Sequence, residues 1–411
     1  MAWAYTDHRE SALTRALRSA RSGWKGLGPA WMVVVASLAL TVLGVKSIDV
    51  AESLRPAEGG LGLGPVASRQ LVYGLVGMAA CAAVCVPRYR ALGPFVWIFF
   101  AIAMSMLVFL VVPGVPASVV RPRGGARAWI DLGPVDFQPS EVMKVAYVLA
   151  LSWYLRYRKN HRTLKGLFWP GLFTALPVGL IMLQPDLGTA ILFVPALFFI
   201  LIAAGARTKH LVLVVACAAL AAPAVYPALK PHQKQRIVGL LLQLRGDRSE
   251  DLDINMQSVT AQRMIGAGGV VGVSDAEARA LHRFNALPER HNDMVLAPLV
   301  TRWGLLGGLG ALGLYVLWSV GALLTSARCL EPFGRLICVG SLGFLFAQVM
   351  VNVGMNLGLL PIIGITLPYV SHGGSSMLAQ WLVTGLIVNV SLRREGYDMG
   401  RSFEWNDDEE S

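Results

Sequence analysis

Apolar runs at or near bilayer-crossing length recur along this chain, and that recurrence leaves few folds open. They fall at about 31–50, 70–87, 93–113, 140–157, 164–183, 187–205, 209–228, 294–325, 334–356 and 374–392. In hydrocarbon every backbone N–H and C=O needs an internal partner, so only helices or closed barrels cross, and continuous apolar runs of roughly 18 residues or more argue for helices. Composition agrees: 55% of the 411 residues are hydrophobic and 15% charged, against about 25% charged in ordinary globular domains. The expected fold class is all-α, a polytopic integral membrane helical bundle of about ten transmembrane helices.

Lys and Arg set the orientation. They crowd 1–27, 87–92, 156–166, 206–210, 327–336 and the segment after 392, whereas the alternate short loops hold Lys46, Arg55, Arg69, Arg121, Arg123 and Arg127. Basic short loops stay inside, which puts both termini in the cytoplasm. The chain then divides into a basic segment 1–28, a ten-span domain 29–395 whose long extracytoplasmic loop covers about 229–292, and an acidic tail 396–411. "RESALTRALRSARSGWKG" reads as an interfacial helix without a small-residue cleavage site, and "EWNDDEES" as a solvated, disordered tail.

The net charge of +11 sits largely in juxtamembrane loops such as "RYRKNHRTLK", where anionic headgroups attract it, so nucleic acid is not an expected partner. Cys81 and Cys85 share a helical face, yet no His or carboxylate stands at ligand spacing; buried thiols are expected, not a disulfide or metal site. The absence of a G-x-x-x-x-G-K-[ST] loop leaves an ATP-driven pump unsupported.

Chemistry must come from polar residues at the membrane, and four places supply them. In "FQPSEVMK", Pro139 and Ser140 suit a helix start, with Glu141 and Lys144 on one face; the two charges form either a structural ion pair or the lining of a polar groove. In "LQPDLGTAIL", Asp186 can cap the following helix. The long loop carries Gly266, Gly268, Gly269 and Gly272, which argue for tight turns, and a leucine-rich piece suited to an interfacial or re-entrant helix. Gln348, Asn352 and Asn356 recur every four residues, giving one span a polar face that reads as interhelical glue, before a loop ending "SHGGSS".

Taken in order, "GARAWIDL…FQPSEVMK", "QPDLGTA", "QKQRI", "QSVTAQRMIGAGG", "LPERHNDMVLA" and "GLLPIIGITLPYVSHGGSS" resemble the SEDS family (shape, elongation, division and sporulation: RodA, FtsW and SpoVE) over about 30–395. "LPERH" and "GLLPIIGI" lean towards the RodA branch. The resemblance implies a peptidoglycan glycosyltransferase that polymerises lipid II, an undecaprenyl-pyrophosphate disaccharide peptide, on the outer face of the cytoplasmic membrane. It also implies a class B penicillin-binding protein as partner, with other elongation or division complex proteins.

In that family the acceptor hydroxyl attacks the donor's anomeric carbon, and Asp293 matches the catalytic aspartate, a general base. Positive charge for the pyrophosphate would come from Lys144, Arg290, Arg263 or a bound divalent cation such as Mg or Mn. Glu141 and Lys144 match the paired residues of the lipid groove. Further substrate contacts are expected at His291, Gln257, Ser258, Ser375 and Ser376, and groove-shaping positions at Gln184, Asp186, Gly268, Gly269, Gly373 and Gly374. The sequence departs from the family pattern at Ala128, Asn292, Thr301, Arg302 and His372. A lipid II flippase or a noncatalytic scaffold for a penicillin-binding protein would fit the same spans.

Overall fold

The computed structural model describes residues 27–393, apart from 53–61, 117, 121, 123–125, 134, 226, 228–230, 246–254 and 286. The expected N-terminal interfacial helix and acidic tail lie outside the described residues. In chain order come α1 (Ala30–Ala51), α2 (Pro65–Cys85), a 3-10 turn (Tyr89–Phe95) leading into α3 (Val96–Val111), and a two-stranded antiparallel ribbon, β1 (Ile130–Asp131) with β2 (Asp136–Phe137), paired Ile130 to Phe137. Then follow α4 (Pro139–Leu155), α5 (Phe168–Leu183), α6 (Leu187–Ala203), α7 (Thr208–Val225), α8 (Pro231–Leu244), α9 (Met256–Gly268), α10 (Asp275–Asn285), α11 (Leu296–Arg328), α12 (Pro332–Asn356) and α13 (Gly374–Leu392).

Among the described residues seven helical segments, built on α1, α2, α3, α5, α11, α12 and α13, are long and apolar enough to cross a membrane. With the shorter α4, α6 and α7 they match the ten runs read from the sequence. Helix starts follow local chemistry. Proline opens α2, α4 and α12, where its missing N–H costs nothing. The Asp186 carboxylate accepts the Thr189 N–H at 3.0 Å and so caps α6.

The most deeply buried helices are α4, α12 and α13. Around them α12 packs on α6, α4 and α11, α13 packs on α2 and α1, and α1 packs on α11. Lipid offers no hydrophobic drive between helices, so close fit must hold them together. Gly385 leaves no room for a Cβ against the Cys81 carbonyl, nor does Gly343 against Ala196. Tyr147, Phe193 and Phe344 meet edge to face, with centroids 5.1–5.9 Å apart.

The long loop is largely helical, comprising α8, α9 and α10. Its glycines dock on a break in α11. Gly304 adopts φ 67° and ψ −169°, conformational space essentially reserved for glycine. The N–H groups freed there are taken by the turn after α9: Leu305 donates to the Gly269 carbonyl at 2.9 Å and Leu306 to that of Val270 at 3.1 Å. Cys81 and Cys85, expected to be buried, are only half-buried. Cys329 and Cys338 are buried, but Cys217 is exposed on the outside of α7, where an apolar thiol can face lipid.

Candidate functional site

Chain alternation brings the start of α2, α4, α6, α11 and α13 and the end of α1, α3, α5 and α12 to one end of the bundle. The loop 357–373 gathers them. Inside it, the Ser371 hydroxyl accepts the Leu367 N–H at 2.7 Å. Gln70 of α2, fully buried, donates to the Ser371 carbonyl at 2.8 Å and accepts from Gly373 N–H at 3.3 Å. Tyr315 of α11 donates to the Pro368 carbonyl at 2.5 Å.

That loop holds the turn carrying Asp293. Three successive carbonyls are tied: His291 O accepts the His372 N–H at 2.8 Å, Asn292 O the Ser371 hydroxyl at 2.6 Å, and Asp293 O the side-chain amides of Asn352 at 2.8 Å and Asn356 at 3.1 Å. Asn352 donates equally to Ile365 O, at 2.7 Å, so one amide joins turn and loop. Glu289 opens the turn at φ 51° and accepts the Asn292 amide at 2.6 Å. The half-buried Asp293 carboxylate faces Gly364, where an added Cβ would stand 3.3 Å from Oδ2.

A second polar group adjoins the same loop. Lys144 Nζ lies 2.9 and 2.8 Å from the two Glu141 carboxylate oxygens, and both residues are buried. Gln138, just before α4, approaches Asp186 at 3.4 Å and donates its backbone N–H to the Ser375 hydroxyl at 3.0 Å. Ser376 meets Thr366 at 3.3 Å, and Gly188 abuts the Ile363 carbonyl. Burial raises the Asp186 carboxyl above the usual carboxylate range, and the charge of Glu141 pushes the same way. Glycines 373 and 374 open α13 beside these groups, with Gly374 against Tyr73.

The basic residues divide. Burial pushes His291 down to about 4, with Arg290 and His372 adding to the shift, and burial lowers His372 as well, with Arg69 adding. Both imidazoles are therefore neutral at pH 7, and standing cationic charge rests on Lys and Arg. Arg290 donates to the His282 carbonyl at 3.0 Å, a contact that anchors its loop. Arg263 is exposed on α9.

Several expected site residues also make contacts within the frame. Ser258 is buried with its hydroxyl 3.4 Å from the Met355 carbonyl and accepts from Gln262, while Gln257 beside it is half-buried. Gly268 lets α9 meet the Val300 carbonyl, and Gly269 turns the chain at φ 56°. Gln184 reaches the Leu107 carbonyl at 3.0 Å and ties α5 to α3. The departures are accommodated: Thr301 bonds Met264 O at 2.9 Å, Arg302 pairs with Asp275, and Ala128 is buried. Gln70 and Ser371 escaped sequence reasoning, since neither breaks an apolar pattern in a distinctive way. Asn352 and Asn356 were visible, but as glue rather than as the clamp on Asp293.

A ten-helix apolar bundle with a clamped carboxylate and a buried ion pair at one end defines a multi-pass membrane protein whose polar site lies where bundle meets water. The family model for FtsW, RodA and SpoVE, described as "Cell cycle protein", matches residues 29–396, and the chain belongs to that family. It is 31% identical over 327 residues to the peptidoglycan glycosyltransferase MrdB of Escherichia coli, covering 79% of this chain and 85% of that protein. It is also 31% identical over 331 residues to the stage V sporulation protein E of Bacillus subtilis, covering 79% and 86%. A chain from a solved structure described as "Structural coordination of polymerization and crosslinking by a peptidoglycan synthase complex" superposes with a TM-score of 0.73 at 30% identity, covering 89% of this chain and 98% of that one.

Proposed function

We propose that the protein is a peptidoglycan glycosyltransferase that polymerises lipid II on the outer face of the bacterial cytoplasmic membrane, in cell elongation or division. The observation that carries this reading is the clamp: hydrogen bonds from one helix and a loop fix three consecutive carbonyls around Asp293 while the residue stays half-exposed. A catalytic base must be held to within a fraction of an ångström and still reach its substrate.

Asp293 accepts the proton of the acceptor sugar's hydroxyl as its oxygen bonds the donor's anomeric carbon. The bond from that carbon to the pyrophosphate oxygen breaks, and the electron pair leaves with polyprenyl pyrophosphate. Such a leaving group needs charge stabilisation more than a proton, which suits a fixed ammonium or guanidinium. Lys144 and Arg290 fill that role, whereas neutral His291 and His372 donate or accept hydrogen bonds. Among the described residues no three His, Cys, Asp or Glu side chains gather to hold a metal ion. The described residues thus build no cation site of their own. The partner is a class B penicillin-binding protein supplying the crosslinking reaction.

The test is a glycan ladder from fluorescent lipid II, comparing purified protein with Asp293→Asn. Ladders from wild type alone support the reading. Ladders from both refute Asp293 as base, and ladders from neither, with lipid II translocation or partner recruitment intact, replace it with a flippase or a scaffold.

A further inference from the structure

An apolar cleft of about 620 Å³ opens between α1 and α11, lined by Val35, Leu38, Val42, Leu43 and Lys46 of α1 and Trp303 and Leu314 of α11. Val35, Leu38 and Val42 are exposed, so the cleft faces lipid. Lys46 is exposed too, and among the described residues it has no hydrogen-bond or ion-pair partner. Yet it stands five positions before the end of α1, about 8 Å below the helix terminus at 1.5 Å per residue. An ammonium at that depth is costly unless it snorkels or meets an anion brought by the membrane.

Cleft length and charge together specify the occupant. From Lys46 to Val35 the face of α1 runs about 16 Å, enough to hold most of one acyl chain whose headgroup meets the ammonium as it snorkels upward. Trp303 and Leu314 on antiparallel α11 bracket the same depth. We propose that this cleft binds one anionic glycerophospholipid of the leaflet on the Asp293 side, its phosphate on Lys46 and one acyl chain along Leu43, Val42, Leu38 and Val35. A glycan-bearing pyrophosphate is a poor fit, because the walls offer almost no polar surface beyond the single ammonium. The site is independent of the proposed polymerase activity.

The test uses full-length protein in bilayers containing brominated phosphatidylglycerol or brominated phosphatidylcholine at equal mole fraction. Trp303 quenching is taken as the difference between wild type and Trp303→Phe. One lysine near an anionic surface predicts a preference for phosphatidylglycerol of roughly fivefold. That preference should persist in Lys46→Arg and vanish in Lys46→Gln. Native mass spectrometry, counting phosphatidylglycerol retained by wild type and Lys46→Gln, gives a readout that needs no tryptophan variant, with fewer retained in the variant. Equal quenching by both lipids, an unchanged preference or unchanged retention in Lys46→Gln, or relief of quenching by equimolar polyprenyl phosphate would overturn the assignment.

Discussion

Replacing Asn352 by alanine separates a clamp from a strut. Its amide donates to Asp293 O at 2.8 Å and Ile365 O at 2.7 Å, and its own oxygen accepts from Asn356 at 3.3 Å. In the variant Asp293 O keeps Asn356, at 3.1 Å, but Ile365 O loses this donor. Leaving a buried acceptor unpaired costs about 1–3 kcal/mol, so Tm should fall by a modest, measurable amount. The rate should fall further than the stability. Displacing a catalytic group by about 1 Å can cost on the order of a hundredfold, and a turn held by one amide instead of two has that freedom, so kcat for ladder formation should drop roughly 10- to 100-fold. The assay is initial rates at saturating lipid II alongside thermal unfolding in the same detergent. In an Asp293→Asn background the added Asn352→Ala should cost little more, because the group it positions is already disabled. A variant with lowered Tm but kcat within about twofold of wild type would show that Asn352 only joins helices, and would refute the positioning argument.

Three other perturbations bear on the same frame. Glu141→Gln leaves the Lys144 ammonium buried without its counter-charge and should destabilise by about 3–5 kcal/mol, while the double change Glu141→Leu with Lys144→Met should restore folding; polymerisation regained with folding would remove Lys144 from the chemistry. Burial, with Arg290 and His291 adding, holds His282 down at about 4 against about 6.5 in an unfolded chain. Its contribution is therefore complete above pH 6.5 and is lost as pH falls from there towards 4, on the order of 3 kcal/mol in all, so the Tm loss between pH 7.5 and 5 should shrink in His282→Leu. Gly304→Ala places a Cβ against the Val270 carbonyl and forces an alanine into a glycine-only region, a backbone cost of about 1–3 kcal/mol before any clash, visible as a lowered Tm.

The bundle was legible because a bilayer demands long apolar runs, and each of the ten became a helix at nearly the expected place. Helix starts at Pro139 and Asp186 were legible for an equally local reason, since one residue supplies the cap or lacks the N–H. The residues around the carboxylate were less so. Gln70 lies 301 positions from the carbonyl it holds, and no local pattern marks a buried amide whose partner is that remote. Gly268 as a groove position and Ser258 as a substrate contact follow from the resemblance and from no local pattern, and nothing in their own stretch foretells that Gly268 closes on the Val300 carbonyl and Ser258 on that of Met355. Asn352 and Asn356 show the same limit. Their spacing fixed a polar face, while the turn that face would grip depended on how α11 enters the bundle.

Irregular backbone at the bundle end has to satisfy its own polar groups, and the way it does so ties the site to the whole molecule. The 365–373 segment draws donors from α2 through Gln70, from α11 through Tyr315 and from α12 through Asn352, and Ser371 within it closes on Asn292. Sliding any one of those helices by more than a hydrogen bond can stretch would leave a carbonyl unpaired, so the cost of misplacing Asp293 is distributed over three helix packings rather than one. The Glu141–Lys144 pair meets the same segment from the other side, through Gln138, Ser375 and Ser376 to Thr366. A displacement of α2 or α12 therefore bears on both Asp293 and the charge pair through one strip of chain.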